Sequence, residues 1–282
     1  MRARIWKIDG REIDLAREAM IMGVLNVTPD SFSDGGLFFA PQKAIDHARG
    51  MIAQGAQIID VGGESTRPGA ESISPEEERR RVLPVVEALR PQTRAVFISI
   101  DTSKPAIAQA ALEAGAAIVN DVTGGRSDEM CKLVAERRCA LIIMHMQGAP
   151  PTMQLRPRYN DVVAEVGLFF RQQLERAIGF GIDPMSIAFD PGIGFGKTLE
   201  HNVELLRNLE RLRVHDRPMV LGVSRKGFLG TMIQSGNMDD RLAATVALTA
   251  LLRERGADVL RVHDVKQNVA ALRMAEALLT AP

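Results

Sequence analysis

The sequence predicts an α/β protein, a (β/α)8 TIM barrel preceded by an N-terminal β-hairpin, and three observations carry that prediction. Short apolar runs alternate eight times with stretches of helical spacing from Met20 to the C terminus. Eight such units in about 260 residues match this barrel, whereas an open doubly wound sheet more usually has roughly five to seven strands and a glycine-rich first turn. Each run also ends in polar or charged side chains, and a barrel gathers all its strand ends at one rim.

The elements follow in order. "MRARIWKIDGREIDL" alternates apolar and polar residues around Asp9-Gly10, a hairpin signal; residues 1–18 are expected to cover the lower mouth of a single domain spanning 1–282. Buried parallel strands read as near-continuous apolar runs. They are expected at "MIMGVLNV" from Met20, "QIIDVG" from Gln57, "VFISID" from Val96, "AIVNDV" from Ala117, "ALIIMHM" from Ala140, "SIAFDP" from Ser186, "MVLGVS" from Met219 and "VLRVHD" from Val259. Between them, stretches such as "PEEERRRVLPVVEALR" and "RLAATVALTALLRERGA" have helical spacing and strong helix formers. Gly55, Gly115, Gly181 and Gly256 stand where those helices should stop.

Composition narrows the function. The chain has 282 residues, 46% hydrophobic and 25% charged, which is ordinary for a globular protein. Its 35 basic and 35 acidic residues give zero formal net charge, so nothing favours nucleic acid or an anionic membrane as partner. Cys131 and Cys139 form neither a disulfide framework nor a metal-binding spacing. No segment has the roughly 20 apolar residues of a membrane span, and the N terminus lacks a signal peptide's apolar stretch. A cytoplasmic enzyme acting on small molecules is the expectation.

The strand ends supply Asn26, Asp60, Asp101, Asn120 with Asp121, His145, Asp190, Ser224 with Lys226, and Arg261 with His263. Some of these have plain structural readings. Ser103, before Lys104-Pro105, is expected to cap a helix, while Asp101 is level with the strand end and belongs to the site. Of Asn120 and Asp121 only one can face the barrel axis. "DPGIGFGKT" has the glycines of a phosphate loop without the spacing, so Asp190 is a better candidate than Lys197. His145 reads as a satisfied structural residue. Arg261 and His263, two residues apart on one strand face, suit a phosphate or diphosphate. "EEERRR" from Glu76 reads as a solvated helix face, and Met144 and Met153 as packing. Two polar, glycine-hinged loops, "TPDSFSDGG" from Thr28 and "GGESTRPGAES" from Gly62, look like lids.

"LNVTPDSFSDGG", "IDVGGESTRPGA", "IDTSKP", "VNDV", "MHMQG", "DPGIGFGK", "GVSRKGFLG" and "LRVHDV" resemble, in order and spacing, the motifs of the dihydropteroate synthase family of pterin-binding enzymes. The resemblance runs from Gly23 to Val265. It implies condensation of (7,8-dihydropterin-6-yl)methyl diphosphate with 4-aminobenzoate in folate synthesis, with a diphosphate leaving group. It also implies roles for individual residues. Asp190 would hold the pterin's N–H edge, with Asp101, Asn120 and Lys226 around the ring and Met144 as an apolar wall. Asn26 would ligate Mg2+. Arg261, Val262 and His263 would line the diphosphate site, and Thr66, Arg67, Pro68 and Phe195 the 4-aminobenzoate pocket. Arg67, Asp101, Lys226, Arg261 and His263 carry the catalytic expectations.

One departure stands out: the family often has a serine after the lysine of "SRK", where this chain has Gly227. That hydroxyl contact to the 4-aminobenzoate carboxylate is missing. Family resemblance further implies a homodimer, with the helix around Leu242 to Leu252 as a candidate interface. The alternatives are a pterin-dependent methyltransferase, which has no need of the Arg261–His263 clamp or the "ESTRPG" loop, and a catalytically silent pterin-binding paralogue.

Overall fold

In a computed structural model, residues 3–28, 36–65, 72–93, 95–148 and 152–280 are described, the side chains of 36–40 excepted. An antiparallel hairpin, β1 (Ile5–Ile8) and β2 (Arg11–Asp14), comes first. Asp9 and Gly10 turn it, both with positive φ (50° and 72°), the conformation a tight two-residue hairpin turn needs.

Eight parallel strands follow, each succeeded by helix. They are β3 (Met20–Asn26), α1 (Gly36–Ala53), β4 (Ile58–Gly62), α2 (Pro75–Leu89), β5 (Phe97–Asp101), α3 (Pro105–Ala114), β6 (Ile118–Asp121), α4 (Asp128–Arg137), β7 (Ala140–Met144) and α5 (Val162–Gly179). The second half comprises β8 (Ile187–Asp190), α6 (Leu199–Arg207), α7 (Leu209–Leu212), β9 (Val220–Leu221), α8 (Gly227–Met232), α9 (Met238–Glu254), β10 (Val259–Val262) and α10 (Val265–Thr280). Strand order β8-β7-β6-β5-β4-β3-β10-β9 is closed into a ring between Phe189 and Met219, where the Phe189 N–H donates to the Pro218 carbonyl at 2.9 Å. This is a (β/α)8 barrel.

Strand periodicity divides the core into two shells. Met20, Met22, Ile58, Phe97, Ile118, Ile142, Ala188, Val220 and Val259 fill the lower barrel together with Trp6, Ile8 and Leu15 of the hairpin segment. Their neighbours Ile21, Ile59, Ile98, Val119, Leu141, Ile187, Leu221 and Leu260 pack outward against the helices. The hairpin is therefore a plug. The Trp6 indole N–H donates to the Ser186 carbonyl at 3.0 Å, Arg4 pairs with the fully buried Asp258 at 2.6 Å, and Arg253 donates to the carbonyls of Leu15 and Ala16, each at 3.1 Å.

Helix ends obey local chemistry. Ser74 and Ser127 accept the N–H groups of Glu77 and Met130, and Thr198 forms a reciprocal capping box with His201, each satisfying donors the helix cannot. Gly55, Gly115, Gly181 and Gly256 all have φ between 89° and 122°, the left-handed turn that only glycine adopts freely. Among the described residues, no helix is long and apolar enough to cross a membrane.

Candidate active site

Because side chains alternate along a strand, the inward positions above the plug are fixed by those below it. They are Val24 and Asn26, Asp60 and Gly62, Ser99 and Asp101, Asn120, Met144, Asp190, Gly222, and Arg261 with His263. Parallel register places Asn26 beside Gly62, Gly62 beside Asp101, and Asp101 beside Asn120 in one row around the ring. Met144 lies beside Asp190. Polar side chains from six strands thus share one mouth, with Met144 and Gly222 between them.

Arg261 organises its floor. Its Nε donates to Asp60 Oδ2 at 2.6 Å and its Nη2 to Asp101 Oδ2 at 2.7 Å, while the Asn120 amide donates to the same Asp60 oxygen at 3.1 Å. Two carboxylates share one guanidinium, which costs electrostatic energy in a low-dielectric site. Burial and the Asp60 charge raise the Asp101 pKa, with Arg261 opposing. For Arg261, burial works to lower the pKa, but Asp60 and Asp101 prevail and raise it; it stays a cation. The other oxygens, Asp60 Oδ1 and Asp101 Oδ1, and the Ser99 hydroxyl are buried with no hydrogen-bond partner among the described residues. Such atoms are rare, and each has hydrogen-bonding capacity left for a group brought from outside.

Asp190, 7% exposed, accepts the Gly192 N–H at 2.7 Å through Oδ1. Burial raises its pKa, opposed first by Lys226. Space beside it comes from glycine: a Cβ on Gly222 would lie 3.9 Å from Asp190 Oδ2 and 3.8 Å from Arg261 Cδ, and one on Gly62 3.7 Å from Asp101 Oδ2 and 3.9 Å from Asn26 Oδ1. Side chains at those two positions would fill the mouth. Lys226 enters from the loop after β9, donates to the Ile193 carbonyl, and sits 4.6 Å over the Phe195 ring. Burial lowers its pKa to about 8, with Asp190 pulling upward. The His263 backbone N–H donates to the Ser224 hydroxyl oxygen, and its ring Nδ1 lies within hydrogen-bond distance of the same oxygen, both at 3.1 Å. Val122, Met144, Met146 and Met153 make an apolar side wall with Phe195, as expected of the two methionines singled out above.

The loop from Asp190 to Lys197 is folded tightly over the mouth. Gly192, Gly194 and Gly196 all have positive φ, and a Cβ on Gly192 would fall 3.0 Å from the His145 carbonyl carbon and closer still to its oxygen. Four successive carbonyls are each taken by a side chain: Ile193 by Lys226, Gly194 by Gln154 at 2.6 Å, Phe195 by Lys197 at 2.9 Å, and Gly196 by Tyr159 at 2.9 Å.

Several expectations change on contact with the structure. Val262 does not offer its side chain to the mouth; it is fully buried between strands and helices, because it lies between the inward Arg261 and His263. Asp121 points the same way and closes a turn, accepting Thr123 N and Oγ1 and Gly125 N, so Asn120 is the member of that pair at the mouth. Ser103 caps nothing. Lys104 is the N-cap of α3 and makes no side-chain cap bond, while the Thr102 hydroxyl accepts the Lys104 N–H. "EEERRR" is not wholly solvated. Glu78 is fully buried and ion-paired with Lys104 at 2.6 Å, and Lys104 also binds Glu64 at the root of the second long loop. Asp60 was visible only as one strand-end residue among many, without a role. Thr66, Arg67, Pro68 and most of the "TPDSFSDGG" loop lie outside the described residues. Gly227 begins α8 with open space around its Cα.

Comparison with known proteins gives the same reading from another direction. A sequence model described as "Pterin binding enzyme" matches residues 22–263. The dihydropteroate synthase of Escherichia coli K12 is 45% identical over 272 residues, covering 96% of this chain and 95% of its own. Among solved structures, the Xanthomonas albilineans dihydropteroate synthase with 4-aminobenzoic acid superposes with a TM-score of 0.92 at 42% identity, covering all of both chains. The Burkholderia cenocepacia dihydropteroate synthase complexed with 7,8-dihydropteroate gives 0.89 at 39% identity, covering 99% of this chain and 98% of that one. With a match over nearly its whole length and a mouth lined by buried acceptors, this chain belongs to the pterin-binding enzyme family.

Proposed function

We propose that the barrel mouth binds (7,8-dihydropterin-6-yl)methyl diphosphate beside 4-aminobenzoate, expels diphosphate, and lets the amine capture the resulting pterin cation. The activity, dihydropteroate synthesis by a transferase, follows from near full-length relatedness to dihydropteroate synthases. The residue roles and the order of steps are our reading, and the buried acceptor oxygens of Asp60, Asp101 and Asp190 carry it.

A pterin presents adjacent N–H donors, which a carboxylate accepts in bidentate fashion. Asp190 would accept them, with Asn120 and Asp101 beside the ring and Met144 against it. An aromatic amine is a weak nucleophile, and both cysteines are buried, with burial raising the thiol pKa of each. Covalent catalysis by a thiolate is disfavoured. Rate then depends on stabilising the leaving group. Arg261, preoriented by Asp60 and Asp101, and His263 would hold the diphosphate, and fixed charges of this kind contribute several kcal/mol. The pterin cation would be favoured by Asp101 and Asp190.

Asn26 offers one side-chain oxygen to the mouth near Asp101, which suits a hard ion sharing the substrate's phosphate oxygens. Mg2+ held there would neutralise charge on the leaving diphosphate. Among the described residues, no group of three or more His, Cys, Asp or Glu side chains forms a metal cage; diphosphate oxygens and water would supply further ligands. Arg67, Thr66 and Pro68 are assigned to lid closure over 4-aminobenzoate on the family's pattern. We further place the enzyme in the cytoplasm as a homodimer; the exposed Leu251 of α9 and Met274 and Leu278 of α10 support an apolar interface there.

Isothermal calorimetry on Asp190→Ala tests the reading. Pterin diphosphate affinity should fall at least about a hundredfold, because buried N–H donors lose their partner. Affinity equal to that of the parent would refute it.

A further inference from the structure

Lys197 is a buried charge for which the reaction has no evident use. It is 3% exposed, and its Nζ has three neighbours: His145 Nδ1 at 3.0 Å, the His145 carbonyl at 3.2 Å and the Phe195 carbonyl at 2.9 Å. An ammonium has three N–H donors and no acceptor. Burial lowers the Lys197 pKa to about 7, with Asp190 pulling upward; in the ammonium form three acceptors saturate it and leave no N–H for a substrate. His145 fits the arrangement, since burial and the adjacent Lys197 push its pKa down to about 3. The ring is neutral, and its Nδ1 accepts.

The two sides joined by this ammonium differ in kind. His145 follows β7, a strand buried along its whole length. Phe195 lies on the glycine-rich loop, where Gly192, Gly194 and Gly196 give the backbone little intrinsic stiffness. Rigidity must come from side chains reaching in. Of the four that hold consecutive carbonyls, Lys197 alone connects the loop to the end of a barrel strand through a fully satisfied buried charge.

We propose that Lys197 is a positioning residue for the second substrate: its ammonium fixes the loop that presents Phe195, and so sets the affinity for 4-aminobenzoate without touching it. The proposal rests on the reading that Phe195 walls the 4-aminobenzoate pocket. Asp190, which holds the pterin, sits at the end of β8 and meets the loop at its near end, through the Gly192 N–H, three residues before Phe195. Loosening the loop should therefore separate the two substrates.

A double-mutant cycle tests this with steady-state kinetics and calorimetry on the full chain. Lys197→Met keeps the stem and removes the donors. It should raise KM for 4-aminobenzoate about tenfold, as a small misplacement does, while pterin diphosphate Kd stays within about twofold. In a Phe195→Ala background the same change should add less than about twofold, since interacting positions are not additive. Equal losses for both substrates, or full additivity in the double variant, would overturn the proposal. Should Lys197→Met fail to fold, Tyr159→Phe, which removes the bond to the Gly196 carbonyl, should shift KM in the same direction by a smaller factor; no shift would count against it. Two failures remain distinguishable. If Phe195→Ala leaves KM unchanged, the pocket assignment falls and the proposal with it. If Phe195→Ala raises KM and Lys197→Met does not, only the proposal falls.

Discussion

Gly192 is where one methyl group should do the most damage for its size. Its φ is 64°, and a left-handed conformation costs a non-glycine residue about 1 to 2 kcal/mol. A Cβ there would lie 3.0 Å from the His145 carbonyl carbon and 3.4 Å from Lys197 Nζ. The carbonyl belongs to the backbone and has no rotamer to change. Relief requires the loop to lift, which weakens the Gly192 bond to Asp190 and the Lys197 bond to the His145 oxygen. Bonds to charged groups contribute about 1.5 to 3 kcal/mol each, so with both lost the total for Gly192→Ala is about 4 to 8 kcal/mol. At about 2 °C per kcal/mol for a chain of this size, Tm should drop by about 8 to 16 °C. Gly227→Ala is the control: nothing lies within 4 Å of its would-be Cβ, and its stability should change by no more than about 0.5 kcal/mol. Scanning calorimetry of both variants, with pterin affinity measured on each, decides the matter. A Gly192→Ala protein that melts within 2 °C (~1 kcal/mol) of the parent and binds pterin normally would refute the account of the loop.

Three further outcomes follow from the same structure. Trp6→Ala empties the centre of the plug, where the ring is fully buried, and should cost about 3 to 5 kcal/mol; a loss under about 1 kcal/mol in urea unfolding would show that the hairpin is dispensable. His145, held at about 3 in the fold against an ordinary 6.5, takes up a proton on unfolding between those values, so its contribution to stability is present above about pH 6.5 and is lost as pH falls. Asp101, whose pKa is raised, acts in the opposite sense above about pH 4. Relative to the parent, His145→Gln should therefore gain about 2 to 3 kcal/mol between pH 6.5 and 4.5, and denaturant titrations giving a pH-independent difference would exclude the assignment. Finally, removing Mg2+ should slow diphosphate release at least about tenfold; an undiminished rate in excess EDTA would rule out a metal at Asn26.

The barrel was legible because its signals are local. A strand buried on both faces has to be apolar along its length, and the glycines at 55, 115, 181 and 256 mark the only backbone conformation that ends those helices so abruptly. The rim was legible for the same reason, since alternation along a strand fixes which side chain faces inward. What could not be read depends on partners far along the chain. Asp60 earns its place only beside Arg261, 201 residues away. Glu78 looked like one charge in a solvated run, but that turn of α2 lies under Gly63 and meets Lys104. Lys197 looked like part of a weak phosphate loop. Its meaning lies in three acceptors, one of them on its own loop and two on the end of β7.

The plug has a consequence for how the chain comes to be made. Its anchors at Asp183, Ser186, Arg253 and Asp258 all emerge from the ribosome late. At about 5 to 20 residues per second, some ten seconds or more separate synthesis of Trp6 from that of these anchors. Until then the indole has no home, and the growing chain carries an unsealed barrel bottom whose completion must wait for its final quarter.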